Sequence, residues 1–175
     1  RSELSSVLRS CSASALLVTH DPHEALAICD RVVVMRRGAI QQYSTPLDMV
    51  AHPSNNFVGQ FVLQRNTLPV QFIDHSYCTF IGKLNISIDQ VISNDSVCMF
   101  DKHSVILEPN ANGSFTVLAR EYRITSYVYT VIIDSQKLFV EMGLHTNLAI
   151  GDKCNVRSVL GKEFLILPEQ IKSNF

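Results

Sequence analysis

The sequence predicts an α/β segment over residues 1–65, followed by an all-β sandwich or small barrel over residues 66–175. Three observations carry this expectation. The apolar run Ala15-Leu16-Leu17-Val18 is short enough for a strand buried on both faces and stands between two helical signals, the pattern of a parallel sheet. The rhythm changes near Gln64 to Thr67, and beyond it short strand-like stretches alternate with turn residues to the end of the chain.

The elements follow in order. Leu4, Val7 and Leu8 stand at helical spacing and predict the last turns of a first helix. After the 15–18 strand come Thr19, His20 and Asp21, then Pro22 to Cys29. Asp21 suits an N-cap, Pro22 the first helical position and Glu24 the acidic third position of a capping box. His20 is thus expected at the carboxyl end of a buried strand, just before a helix, where open α/β sheets place ligand-binding residues. Val32 to Met35 predicts a strand that turns through Arg36-Arg37-Gly38 into Ala39 to Tyr43, a hairpin with glycine in the turn. Thr45-Pro46-Leu47-Asp48 repeats the cap, proline and acid for a short helix through Ala51. Pro53 and Ser54 open another, with Phe57, Val58, Phe61 and Val62 on one stripe. That stripe is amphipathic but uncharged, so it reads as a packing helix.

Strands are then expected over residues 68–73, 79–88, 97–100, 105–107, 115–123, 127–133, 137–141, 155–159 and 164–167. Asn94-Asp95, Asn110 to Gly113, Asp134-Ser135 and Gly151-Asp152 punctuate them.

Composition narrows function. The chain has 175 residues, 46% hydrophobic, and 15 basic against 16 acidic side chains, for a net charge of −1. This length buries a core without disulfide or metal staples, and near-neutral charge supplies no field for general nucleic-acid or anionic-lipid binding. The chain begins at Arg1 and shows no signal-peptide core and no apolar run of about 18 residues, so an internal piece of a cytosolic polypeptide is expected. Cys11, Cys29, Cys78, Cys98 and Cys154 show no CxxC or metal-ligand spacing and read as small reduced core residues, with no metal site.

Val18-Thr19-His20-Asp21-Pro22-His23-Glu24-Ala25, Asp30 to Met35, Gly38-Ala39-Ile40, Ser44 to Asp48 and Pro53 to Val58 form one ordered run. Together they resemble the C-terminal end of an ATP-binding-cassette (ABC) transporter ATPase: its switch-histidine loop, its final strands and the helices leading to its regulatory domain. The resemblance implies a fold of two parts, the α/β tail of a P-loop-type ATPase domain over residues 1–65 and an all-β, OB-like small barrel of the TOBE type over residues 66–175. It implies the C-terminal portion of the ATP-binding subunit of a solute importer, working with ATP and Mg. Its partners would be permease subunits and a second copy of itself, at the cytoplasmic face of the plasma membrane, with no nucleic acid. Within it His20 would be the catalytic switch histidine that contacts the γ-phosphate and helps orient the attacking water. That role suits an imidazole donor, because phosphoryl transfer depends on positioning and on stabilising charge at the γ-oxygens. The chain contains no GxxxxGK[ST] loop, no magnesium-holding acid at a strand end before His20 and no serine-glycine-glycine signature. It is therefore expected to contribute His20 to a site that it does not build alone, and to be inactive by itself.

The remaining candidates read more plainly. His23 has no third ligand at useful spacing and reads as an exposed first-turn histidine, while Arg36 and Arg37 read as a solvated turn. Phe100-Asp101-Lys102-His103 departs from the arginine-proline-acid segment common in such regulatory domains. The run Ala119 to Tyr129 is similar to the ferric-iron importers, with Ile124 in place of a usual glycine, and Asn66-Thr67-Leu68-Pro69 resembles sugar importers as well. Tyr122, Tyr127 and Tyr129 have the chemistry to stack bases, but cross-strand packing is the expected use. The rival reading is a non-enzymatic small-ligand or oligonucleotide-binding barrel. Strands made for burial on both faces, at 15–18 and 32–35, are expected to leave apolar surface uncovered in this chain.

Overall fold

The computed structural model describes residue 10 and residues 14–73, 76–84, 96–159, 162 and 164–168. It is mostly β-sheet with few helices, and the chain divides at Gln64/Arg65 into two compact units. The first helix expected, around Leu4 to Leu8, lies outside the described residues.

In the first unit, α1 (Pro22–Ile28) starts on the expected cap, and Asp21 accepts from the backbone N–H groups of His23 and Glu24. A hairpin of β1 (Val32–Arg36) and β2 (Ala39–Ser44) follows. Its turn, Arg37 and Gly38, has φ of 51° and 80°, the left-handed pair that matches strand twist in a tight hairpin. The register slips between Val34 and Met35, so Gln41 has no Cα partner in β1. That bulge frees Gln41 for another task. Its carbonyl accepts from Ser54 Oγ at 3.0 Å, its side-chain oxygen accepts from Asn55 Nδ2 at 3.3 Å, and Gln42 Oε1 accepts from Ser54 N at 2.8 Å. These bonds fasten the start of α3 (Asn56–Leu63) to the hairpin, after the short α2 (Pro46–Ala51) capped by Thr45. The α3 cap is Asn55, buried and accepting from Val58 N, rather than Ser54 as the sequence suggested. Val58 and Val62 meet Val32, Val34 and Met49 in a small core. Phe57 and Phe61 stack on each other at its margin.

Two expectations are corrected here. Ala15 to Val18 forms no strand: residues 14–19 are irregular, and Leu16 and Val18 are 92% and 87% exposed. A strand buried on both faces needs neighbours for its peptide groups, and none of the described strands lies beside it. The expected parallel sheet is likewise not found among the described residues, where every strand pairing is antiparallel. β1 is buried on alternate residues, with Val33 and Met35 exposed, so the uncovered apolar surface the sequence foretold is present at both places.

The second unit holds β3 (Asn66–Pro69), β4 (Gln71–Ile73), β5 (Ser76–Thr79), β6 (Gly82–Leu84), β7 (Ser96–Phe100), β8 (Val105–Pro109), β9 (Phe115–Arg123), β10 (Ser126–Ile133), β11 (Gln136–Gly143), β12 (Lys153–Ser158) and β13 (Leu165–Pro168). They form antiparallel sheets in the orders β11-β10-β9-β12-β8, β13-β7-β3 and β4-β5-β6. All three sheets contribute to one core, with Leu68, Tyr77, Phe100, Val117, Tyr129 and Leu138 among its members. The expected 68–73 strand is broken at Val70. The expected 79–88 strand turns back instead at Phe80 and Ile81, its residues beyond Leu84 lying outside the described set. Gly113 is required for a different reason from the turn glycines: a Cβ there would collide with the Cys154 backbone as β12 passes.

Candidate functional site

The entry to α1 is built from the sequence Thr19 to Glu24. Thr19 Oγ1 accepts from Asp21 N at 3.0 Å and donates to Glu24 Oε2 at 3.1 Å. In a simple capping box the third-position carboxylate reaches the N-cap N–H itself. Here the threonine hydroxyl stands between them and relays the interaction. Asp21 Oδ1 closes the other side, accepting from His23 N at 2.9 Å and Glu24 N at 3.4 Å. Thr19, Asp21 and Glu24 are thereby committed to holding the turn, and Pro22 sets its first helical φ.

His20 sits within this cap and is exposed. None of the described residues hydrogen-bonds its ring, so the turn presents an imidazole fixed at its backbone and open at its ring nitrogens. His23 lies three positions on and is used locally, its Nε2 lying 3.3 Å from Gln64 Nε2. Among the described residues no group of three or more His, Cys, Asp or Glu side chains could hold a metal ion. The described residues likewise do not fit a magnesium nucleotide by themselves: beside His20 the carboxylates are engaged in capping, and the sequence has no phosphate-cradling loop.

Arg36 and Arg37 separate in role. Arg37 is the exposed turn residue expected, but the Arg36 guanidinium lies over the Phe57 ring at 4.7 Å. It is packed, not solvated, because the hairpin brings the end of β1 against α3. The three tyrosines divide as well. Tyr129 is fully buried and donates to the Thr146 carbonyl at 2.8 Å. Tyr127 packs between Tyr122 and Tyr129, with the Arg120 guanidinium 4.7 Å from its centroid. Only Tyr122 keeps an exposed face, so there is no three-ring stacking platform.

A charge cluster in the second unit was not anticipated. Glu141 accepts from Ser126 Oγ at 2.6 Å, and Lys102 Nζ and His103 Nε2 lie 3.0 and 3.5 Å from its other oxygen. The Ser126 hydroxyl first, and then Lys102, hold the carboxyl below the usual carboxylate range. Lys102 and His103 stand in the segment that departs from the resemblance, so that departure was the available signal. Burial pushes the Cys98 thiol up to about 12 and the Cys154 thiol up to about 11. No helix among the described residues is long and apolar enough to cross a membrane.

With this geometry in hand, the chain can be set against known proteins. No protein-family model matches it. It is 44% identical over 71 residues to the sulfate/thiosulfate import ATP-binding protein CysA 2 of Chromobacterium violaceum, covering 41% of this chain and 19% of that one. It is 41% identical over 69 residues to the Fe(3+) ions import ATP-binding protein FbpC 2 of Rhizobium meliloti, covering 39% and 18%. Over 137 residues it is 28% identical to the spermidine/putrescine import ATP-binding protein PotA of Spiroplasma citri, covering 76% and 39%. The matched region thus spans well under half the length of each of these relatives. Over that part, its homologues are ATP-binding subunits of ABC importers.

Proposed function

We propose that this chain acts as the C-terminal portion of an ABC importer's ATP-binding subunit, the component that couples ATP hydrolysis to solute uptake. In this reading residues 1–65 complete an ATPase domain and residues 66–175 form a TOBE-like, OB-type regulatory barrel. The subunit works peripherally at the cytoplasmic face of the membrane, against permease subunits and a second copy of itself. The similarity to import ATP-binding proteins supports the class. The resemblance of Ala119 to Tyr129 favours ferric iron as the solute.

One observation carries the catalytic part: His20 is presented with its ring open, on a turn whose other polar side chains are occupied in capping. In the complete subunit its ring N–H would donate to the terminal phosphate as charge develops there. Two measurements test this. Calorimetry on the 175-residue chain is expected to show no micromolar ATP binding, since the phosphate-cradling loop is not in it. In the complete subunit, His20→Ala is expected to lower ATP turnover by roughly 100-fold, about 3 kcal/mol of transition-state stabilisation. An unchanged turnover number removes His20 from the mechanism.

A further inference from the structure

β9 is a half-open strand. It pairs with β10 up to the hairpin end at Arg123, but with β12 only at Phe115 and Thr116. Val117 is closed by backbone bonds with Gly151 and Asp152. From Leu118 to Arg123 no strand among the described residues lies along the outer edge, and all six residues are exposed. The tip residue Ile124 is 86% exposed. Antiparallel pairing on one side leaves alternate peptide N–H and C=O groups facing outward on the other, a template for a further strand. No proline interrupts this stretch.

We propose that this edge pairs antiparallel with the same edge of a second copy, joining two sheets across β9. The sequence is self-complementary in one register. A two-fold axis perpendicular to the sheet must pass through a residue, because directly opposed side chains share a face. Centred on Glu121 or on Arg120, it would oppose that charge to its own copy, which is unfavourable. Centred on Tyr122, it places Glu121 opposite the second copy's Arg123, and Arg123 opposite its Glu121. The two tyrosines then meet at the axis, and each exposed Ile124 lies against the stem of the other copy's Arg120. Within one chain Glu121 and Arg123 already stand side by side on one face, with an N–O distance of 3.0 Å. The dimer extends that pair into a four-charge row. This inference rests on the β9 edge alone and stands or falls apart from the role of His20.

Charge reversal provides the test, read by sedimentation velocity on the full chain over a range of concentrations. The wild type is expected to dimerise. Glu121→Arg and Arg123→Glu are each expected to weaken dimerisation by about tenfold or more. The double reversal is expected to restore the wild-type constant, because the row is then rebuilt with its signs exchanged. Circular dichroism melting of each variant separates weakened association from lost folding, and the double reversal keeps the comparison meaningful if one single variant folds poorly. A wild type still monomeric at on the order of 100 μM overturns the proposal. So does a dimer that neither single reversal weakens, as association through the exposed residues 16–18 would give, or a double reversal no tighter than the singles.

Discussion

Asn66 does for β11 what a strand partner would do. Its Nδ2 donates to the Phe139 carbonyl and its Oδ1 accepts from the Phe139 N–H, both at 2.7 Å. One side chain thus satisfies both backbone groups of a residue 73 positions away, and it is buried at the first position of β3. Asn66→Ala removes both bonds and leaves a donor and an acceptor on Phe139 without partners. At about 1 kcal/mol net per bond, with a further cost for orphaned groups that are only partly buried, the expected loss is roughly 2–3 kcal/mol. For a domain of about 100 residues that lowers the midpoint by roughly 8–20 °C. Asn66→Asp keeps the acceptor but sets a carboxylate against the Phe139 carbonyl. It is expected to cost at least as much at pH 7 and to recover as the pH falls below about 4, where the protonated acid donates again. The sign follows from the carboxyl, whose folded-state pKa would be raised: the destabilisation is full above that value and is lost below the unfolded one. Urea unfolding followed by circular dichroism, with the m-value checked for constancy, measures both variants. An Asn66→Ala loss under about 0.5 kcal/mol would refute the reasoning, because it would show that Phe139 does not depend on the clamp.

Two further outcomes follow from the same unit. Glu141 is held ionised by Ser126 and Lys102, its folded pKa lying below its unfolded one, so its contribution is present above about pH 4.3 and lost as the pH falls through the folded value. Glu141→Gln should therefore make the acid limb of a stability-against-pH curve shallower, and superimposable limbs would show that the cluster carries none of the linkage. Cys98 and Cys154 are fully buried with pKa values pushed up to about 12 and about 11, so native labelling by a maleimide at pH 8 should reach the half-buried Cys29 and Cys78 first. Peptide mapping that found Cys98 modified early would mean that the β7 core opens locally.

The elements most legible in the sequence are those whose cause is local. Asp21-Pro22 and Thr45-Pro46 fix helix starts through caps within three residues. Arg37-Gly38 fixes a hairpin through left-handed φ, and alternation over Tyr127 to Ile133 places Tyr129 and Val131 inside. The misread elements depend on distant partners. Ala15 to Val18 has the composition of a strand but no described neighbour to complete its hydrogen bonds. The turn at Phe80 and Ile81 lacks the glycine-first dipeptide that would have marked it, since Gly82 comes only after it. Ile124 shows the reverse: a residue where glycine was expected is not among the left-handed positions, so the β9–β10 turn does not need one.

The same distinction governs the sites. His20 was legible because its setting is a six-residue cap, and a capped helix start is written in consecutive residues. The Glu141 cluster joins Lys102, Ser126 and Glu141 only once β10 and β11 are in register and the segment after β7 is brought beside them. No spacing along the chain could announce it. Arg36 lies between these cases. Its turn was visible, but the ring beneath it belongs to α3, which is carried there by the bonds from Gln41 and Gln42 to Ser54 and Asn55. A register slip of one residue in β2 thus decides whether an arginine is solvated or packed. It does so by freeing a carbonyl that regular pairing would have consumed, a consequence open to reading only after the strands are paired.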